Sequence, residues 1–382
     1  MKTRLLVDAT LISIGGGVQV GINLITNLIQ DSDFEIILVA SPQISNQLTN
    51  SQKESCLYFV EEKNESIWKK RAQGKRILEV EQKYNPDLVF VVFGPSYWRP
   101  KSLTLQGFAL PLMVYPATRN KIYKSNFYHY FYQKILNVYK AVLMKRNSDF
   151  VVVETETFKD RVHDFLKIPK DKIYVIENSF NANFNNKEFS KNLISIHEKI
   201  NIFIPTAYYP HKNLEILVDV AAVLKNLNFT SVEFNFLIET KSEIWNKIIL
   251  EAKNKGVQSF FKSYGPVNNV QMKELYAKCD FVLLPTLAEA STAVYPESFI
   301  SEKVLLTSDI DFARELCGDA AIFFDPHNPI DIANKIIEIF SDQEKQANLI
   351  SNGLKQLEVS YISPENKWLK QKSLLLSLKE SH

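Results

Sequence analysis

Short apolar runs alternate with helix-length amphipathic stretches from one end of this chain to the other. That rhythm constrains the fold more than any other feature. A run such as Phe281 to Leu284 is too short for a buried helix, and it lacks the polar alternation of a strand with one wet face. Runs of this kind belong to parallel sheets covered by helices on both faces. In the first half the strand candidates are Arg4 to Ala9, Glu35 to Ala40, Leu88 to Phe93, Phe150 to Val153 and Tyr174 to Ile176. In the second half they are Ile200 to Pro205, Phe234 to Ile238, Phe281 to Leu284, Lys303 to Thr307 and Ala321 to Phe324. Between them lie helical faces. Leu214, Leu217, Val218, Ala221 and Leu224 share one face, and Pro329 with Asp331 opens a helix whose face is Ile332, Ile336 and Ile339.

At 382 residues, 46% of them hydrophobic, the chain exceeds one ordinary core and suits two α/β domains of roughly 150 to 200 residues each. The compositional break is ENSFNANFNNKEFSKN, from Glu177 to Asn192, rich in Asn and poor in aliphatic residues. The expected division is therefore a first domain over 1–185 and a second over 186–363. No internal repeat of short period points to a solenoid.

A formal charge of +2 carries no polyelectrolyte signature for nucleic acid. Cys56, Cys279 and Cys317 are odd in number, widely spaced and without metal-ligand spacing, which argues for a reducing compartment and against a disulfide framework or zinc site. Asp8 interrupts the apolar run near the start, so a first β-strand is expected there instead of a signal peptide. No apolar stretch is long enough for a transmembrane helix, and the expected location is cytoplasmic.

The stretch FVLLPTLAEASTAVYPESFISE, Phe281 to Glu302, carries the chemistry: an apolar strand, a polar loop, then a helix that Pro296 is expected to open. Glu297 falls in the first helical turn, where the helix dipole favours a carboxylate, and Glu289 in the loop before it. Carboxylates at the carboxyl end of such a sheet can accept hydrogen bonds from vicinal sugar hydroxyls. At the start of the second half, IFIPTAYYPHKNLEILVDVAAVL puts Lys212 on a loop between a strand and a helix, where a point charge and backbone N–H groups together favour phosphate. Near the amino end, Gly15-Gly16-Gly17 follows the first strand and precedes the amphipathic Val18 to Ile29. Glycines at such a turn let a ligand approach the backbone.

The continuation FVLLPTLAEASTAVYPESFISEKVLLTSDIDFARELCGDAAIFFDP closely resembles the carboxyl-terminal signature of the retaining nucleotide-sugar glycosyltransferases of glycosyltransferase family four, and the likeness spans roughly 200 to 340. The resemblance implies the GT-B architecture, two doubly wound Rossmann-like domains facing across a cleft, with 364–382 as a C-terminal helix crossing back to the first domain. It gives Glu289 a place near the transferred sugar and Glu297 the ribose. Lys212 matches the lysine of the family's Arg-x4-Lys diphosphate clamp, while Ala207 stands where the arginine usually does and His211 is a candidate substitute. Where many relatives read Glu-Gly-Phe-Gly, this chain reads Glu289-Ala290-Ser291-Thr292, so the donor loop would be Ala290, Ser291, Thr292 and Ala293, with hydroxyls in place of glycines. Gly16 and Gly17 resemble the family's glycine-rich first loop. The family's first-domain His has no counterpart in GFALPLMVYPATRN, which offers Tyr115 instead, and Glu154 or Thr155 would face the cleft.

The function so implied is metal-independent, retaining transfer of a sugar from a nucleotide-diphosphate sugar to an acceptor hydroxyl, in polysaccharide or glycolipid biosynthesis, with Glu289 and Lys212 in the catalytic roles. No cofactor is expected. Asp309-Ile310-Asp311 follows a strand inside the metal-independent signature and is not read as a metal motif. Two alternatives remain open: a non-catalytic GT-B subunit that binds nucleotide or glycan, and a nucleotide-sugar epimerase. From 119 to 146 there are seven basic residues, no acidic one and many aromatics. Such a helix suits the headgroup layer of an anionic membrane, each surface cation contributing roughly 1 kcal/mol, and would present a lipid-linked acceptor; the other reading is a core helix with solvated lysines.

Overall fold

A computed structural model describes residues 2–13, 16–66, 68–124, 127–180, 184 and 199–380. Gly15 and most of the Asn-rich stretch lie outside them. The chain forms two compact units. One comprises Met1–Pro116, Tyr123–Glu177 and Glu365–His382, the other Ala117–Ile122 and Asn178–Pro364.

The first unit is built on a parallel sheet of β1 (Thr3–Ala9), β2 (Phe34–Ala40), β3 (Tyr58–Glu61), β4 (Leu88–Val91), β5 (Leu103–Gly107), β6 (Phe150–Val153) and β7 (Ile173–Val175). Their spatial order is β3-β2-β1-β4-β5-β6-β7. The second unit has β8 (Ile200–Ile204), β9 (Val232–Phe236), β10 (Phe261–Ser263), β11 (Phe281–Leu284), β12 (Val304–Ser308) and β13 (Ala321–Phe324), in the order β10-β9-β8-β11-β12-β13. In both units the order reverses beside the first strand, which makes each a doubly wound, Rossmann-like sheet.

The aliphatic strands lie where the sequence indicates, and β6, β11 and β13 agree to the residue. Three strands escaped that reading. β3 and β10 are short edge strands. β5 is central but reads LTLQG, and its fully buried Gln106 hides the pattern. The Gln106 amide donates to Ser96 Oγ at 3.0 Å and to the Asn147 carbonyl at 2.6 Å, and accepts from the Ser96 N–H at 2.9 Å. A polar side chain satisfied in this way can sit in a core. Gly107 ends that strand where a Cβ would lie 2.0 Å from the Val92 carbonyl oxygen.

The core of the second unit joins the strands to the helices that cover them. Leu217, Val218, Ala221 and Leu224 of helix Ile216–Asn226 are buried with Ile332, Ile336 and Ile339 of helix Pro329–Ser341. Asn328 caps the latter helix, accepting from the N–H groups of Ile330 and Asp331.

The last helix, Pro364–Glu380, packs on the first unit. Leu374, Leu375 and Leu378 are buried, Trp368 meets Phe34 edge-on at 6.3 Å, and Lys372 lies 2.7 Å from both Asp31 and Asp33. Glu154 pairs with Lys367 of this helix at 2.8 Å. Thr155 is buried and caps helix Glu156–Leu166 through the Phe158 N–H. The change of unit falls at Glu177/Asn178, upstream of the 185/186 boundary read from composition. Asn178 is drawn to the second unit by its hydrogen bond to Ser291 Oγ (3.0 Å) and by the Ile362 N–H on its carbonyl (3.3 Å).

Candidate functional site

β8 and β11 are neighbours at the reversal of the second sheet, Phe281 facing Ile202 and Val282 facing Phe203. Because β8 leads outward toward β9 and β11 toward β12, the loops leaving their carboxyl ends part and leave a crevice, the usual ligand position in open α/β sheets. The first loop runs from Pro205 into a 3₁₀ turn, Pro210–Lys212, and Asn213 then adopts φ 57°, a left-handed conformation that Asn tolerates. Its side-chain amide donates to the Pro326 carbonyl at 2.7 Å. The second loop runs from Pro285 to Ala293.

Three hydrogen bonds tie these loops together. The Leu287 N–H donates to the His211 carbonyl at 2.7 Å. The Thr286 hydroxyl lies 3.2 Å from that carbonyl and 2.9 Å from Glu289 Oε1, and its one proton serves either acceptor. Lys212 Nζ donates to the same Glu289 oxygen, in an ion pair with side chains only 9% and 7% exposed. Two residues far apart in sequence thus meet as a buried charge pair at the mouth of the sheet.

His211, beside Lys212, stacks on Tyr209 with ring centroids 5.6 Å apart. Burial lowers its pKa and the Lys212 charge adds to that, against the pull of Glu289. The neutral imidazole is favoured, so it offers a hydrogen bond more readily than the second positive charge of a clamp.

Helix Val294–Ile300 follows the second loop. It begins two residues before Pro296, which is therefore its third residue and not its first. Thr292 explains the difference, since its buried hydroxyl accepts from the Val294 N–H at 3.2 Å and starts the turn early. Proline is still accommodated, because the first four N–H groups of a helix have no partner within it. Glu297 stays in the first turn and accepts from the Tyr276 hydroxyl at 3.3 Å. Burial raises its carboxyl to about 7, more than the Tyr276 hydrogen bond lowers it. Tyr276 is itself enclosed, its ring edge-on to Phe203 at 5.2 Å.

Of the other loop residues, Ala290 is buried, Ser291 accepts from Asn178, and Ala293 is exposed. Gly16 and Gly17 belong to the first unit and form the first two residues of helix Gly16–Gln30, not a loop ahead of it. A Cβ at Gly16 would meet nothing within 4 Å, and one at Gly17 only the Phe93 ring at 3.5 Å. Asp309 pairs with Arg314 through two hydrogen bonds of 2.7 and 2.8 Å. Among the described residues no group of His, Cys, Asp and Glu converges as metal ligands would. Two residues that sequence reasoning passed over take part here. Thr286 was legible only as the polar residue after Pro285, and nothing local distinguishes Tyr276 within its helix.

The family model described as "Glycosyl transferases group 1" matches residues 185–356. An uncharacterized glycosyltransferase of Methanocaldococcus jannaschii is 23% identical over 210 residues, 54% of this chain and 54% of the relative. The O-antigen chain mannosyltransferase RfbU of Salmonella typhimurium is 24% identical over 201 residues, 51% and 52% of the two chains. The chain thus spans about half the length of the curated relatives it matches. Among solved structures, Anabaena HepE in complex with UDP-glucose superposes with a TM-score of 0.71 at 15% identity, over 99% of this chain and 100% of that one.

Proposed function

We propose, on the premise that this chain belongs through residues 185–356 to the group 1 glycosyl transferases, that it is a retaining, metal-independent glycosyltransferase drawing on a nucleotide-diphosphate sugar. The observation that carries this reading is the buried Lys212–Glu289 pair at the carboxyl ends of β8 and β11. In the reaction the anomeric carbon–phosphate oxygen bond breaks, the diphosphate leaves with the bonding electrons, and an acceptor oxygen bonds to the same face of the sugar while losing its proton. The largest task is to stabilise charge on the departing diphosphate. Lys212 supplies the cation, and Glu289 fixes its ammonium in place before substrate arrives. Glu297, with Tyr276 behind it, holds the ribose hydroxyls.

A hexosyl donor and an acceptor in cell-surface polysaccharide or glycolipid are supported by the mannosyltransferase relative and by the UDP-glucose complex of a protein with the same fold. The reading includes cytoplasmic work at the membrane face, with a lipid-linked acceptor presented beside the segment 119–146. A second reading, a non-catalytic nucleotide- or glycan-binding subunit, rests on Ala207 in the clamp and on a Lys212 charge already neutralised by Glu289.

One screen separates them. Thermal shift against UDP-, GDP- and other nucleotide sugars is followed by measurement of nucleoside diphosphate release with and without membrane extract. Release that depends on the extract and is lost in Lys212→Ala is expected. Binding without release under every acceptor condition would turn the reading to the binding subunit.

A further inference from the structure

β1 and β4 are neighbours at the reversal of the first sheet, Leu5 facing Leu88 and Asp8 facing Val91. The loops leaving their carboxyl ends and the start of helix Lys70–Tyr84 border a cavity of about 10 Å³, whose lining includes Asp8, Thr10, Lys70, Gln73, Ser96 and Tyr97. Helix and loop come this close because Gly74 has no side chain, and a Cβ there would lie 2.8 Å from Trp98 Cβ. A space of that size admits one oxygen atom and not a whole sugar ring. Its place at the first sheet matches the place of Lys212 and Glu289 at the second.

Lys70 is only 6% exposed in the wall of this cavity. Its ammonium donates to Asn64 Oδ1 at 2.6 Å and to Gln73 Oε1 at 3.1 Å, both neutral oxygens, and lies 5.1 Å from the centre of the Tyr97 ring. An ammonium carries three N–H groups, so a third remains. Asp8 does not depend on it. Asp8 Oδ1 accepts from the N–H and hydroxyl of Thr10 at 3.0 and 2.8 Å, and Oδ2 from the Trp98 indole at 2.8 Å. Burial lowers the pKa of Lys70 against the pull of Asp8 and Glu65, as befits a cation taken out of water without a carboxylate on it.

The helix adds to the excess of positive charge. Lys69, Lys70 and Arg71 stand in a row at its amino end, with no side-chain cap and no acidic residue in the first turn. The dipole of a helix makes that end unfavourable for cations and favourable for an anion. Lys69 and Arg71 are exposed, so neither is placed there by packing. Fastening Asn64 accounts for Lys70 alone, whereas an anion at the cavity accounts for all three residues.

We infer that the acceptor bears an oxyanion, a phosphate or a carboxylate on a hydroxyl-rich molecule, and that Lys70 grips one of its oxygens at this cavity while Lys69 and Arg71 face the rest of its charge. This names the acceptor class of the glycosyltransferase proposed above and rests on that reading. The oxyanion is held and not transformed, which leaves a hydroxyl elsewhere on the molecule to receive the sugar.

The test is calorimetric titration of the whole chain with glucose 6-phosphate, glucuronate and glucose, with UDP present throughout to fill the donor site. At least one anionic probe should bind about tenfold or more tighter than glucose, the margin of a charge-assisted hydrogen bond. Glucose 6-phosphate in the lead identifies a phosphate, and glucuronate in the lead a carboxylate. Lys70→Met should remove the advantage. Lys69→Gln with Arg71→Gln, both at exposed sites, should cut it by about threefold or more, even where the first variant fails to fold. Equal or absent binding of the three probes overturns the inference. So does an anion preference undiminished in Lys69→Gln with Arg71→Gln, or one that persists in folded Lys70→Met, which would leave Lys70 as a tie to Asn64. Thermal shift with UDP alone reports separately on the donor site, so failure of one reading is not mistaken for failure of the other.

Discussion

Lys212 and Glu289, 77 positions apart, form an ion pair at the carboxyl end of the second sheet, and the Thr286 hydroxyl lies 2.9 Å from the same Glu289 oxygen. Removing one partner from so enclosed a pair leaves an uncompensated charge, while replacing both by apolar groups is often neutral or stabilising. Lys212→Ala is therefore expected to lower unfolding free energy by about 3–5 kcal/mol. Lys212→Met with Glu289→Leu should recover most of that loss without recovering nucleotide-sugar binding. Urea titration and calorimetric binding on the three proteins check this. A double variant as unstable as the single one would show that the pair is not the source of the effect.

Glu297 gives the site a pH dependence whose sign follows from burial. Its carboxyl is held at about 7 in the folded protein, against an ordinary value of 4.5. Between those values the folded state keeps a proton that the unfolded chain has lost, so stability falls as pH rises through the interval and levels off above it. Glu297→Gln should flatten that segment of the profile, measured by urea titration at a series of pH values. Donor affinity should rise toward and above neutral pH in the wild type, because only the carboxylate accepts a hydrogen bond from each ribose hydroxyl. A pH-independent affinity would remove Glu297 from the ribose role.

At the C-terminal helix, apolar burial should outweigh charge. Leu375 is 1% exposed, and Leu375→Ala is expected to cost about 2–5 kcal/mol through lost transfer energy and the cavity left behind. Lys372→Ala, which removes a solvent-screened contact to Asp31 and Asp33, should change stability far less. Chemical denaturation of each variant decides the order, and the reverse ranking would mean that the helix is held chiefly by its ion pairs.

Strands were legible where aliphatic residues run together, because burial on both faces demands such residues at every position. β5 was not, since Thr104 and Gln106 are buried as polar groups, the first bonded to the Ser102 carbonyl and the second to Ser96 and Asn147 from other segments. The start of helix Val294–Ile300 was displaced for a local reason, the Thr292 hydroxyl that accepts from the Val294 N–H, which competes with the preference of proline for the first position. The basic aromatic segment was read either as a membrane-surface helix or as a core helix with solvated lysines; in the structure Arg119 turns inward and burial lowers the pKa of Lys140, a division that helical periodicity alone does not reveal.

Sequence by itself determined the α/β class, the two-part organisation, and Lys212, Glu289 and Glu297 as candidates, because hydrophobic spacing and residue type act locally along the chain. Only the tertiary structure decided that Lys212 and Glu289 touch, that Tyr276 backs Glu297, and that one face of helix Phe127–Asn147 is left uncovered. The first of those facts depends on strand order. β8 lies beside β11 although two strands intervene in the chain, and sheet pairing, which carries no local signal, sets which loop ends meet.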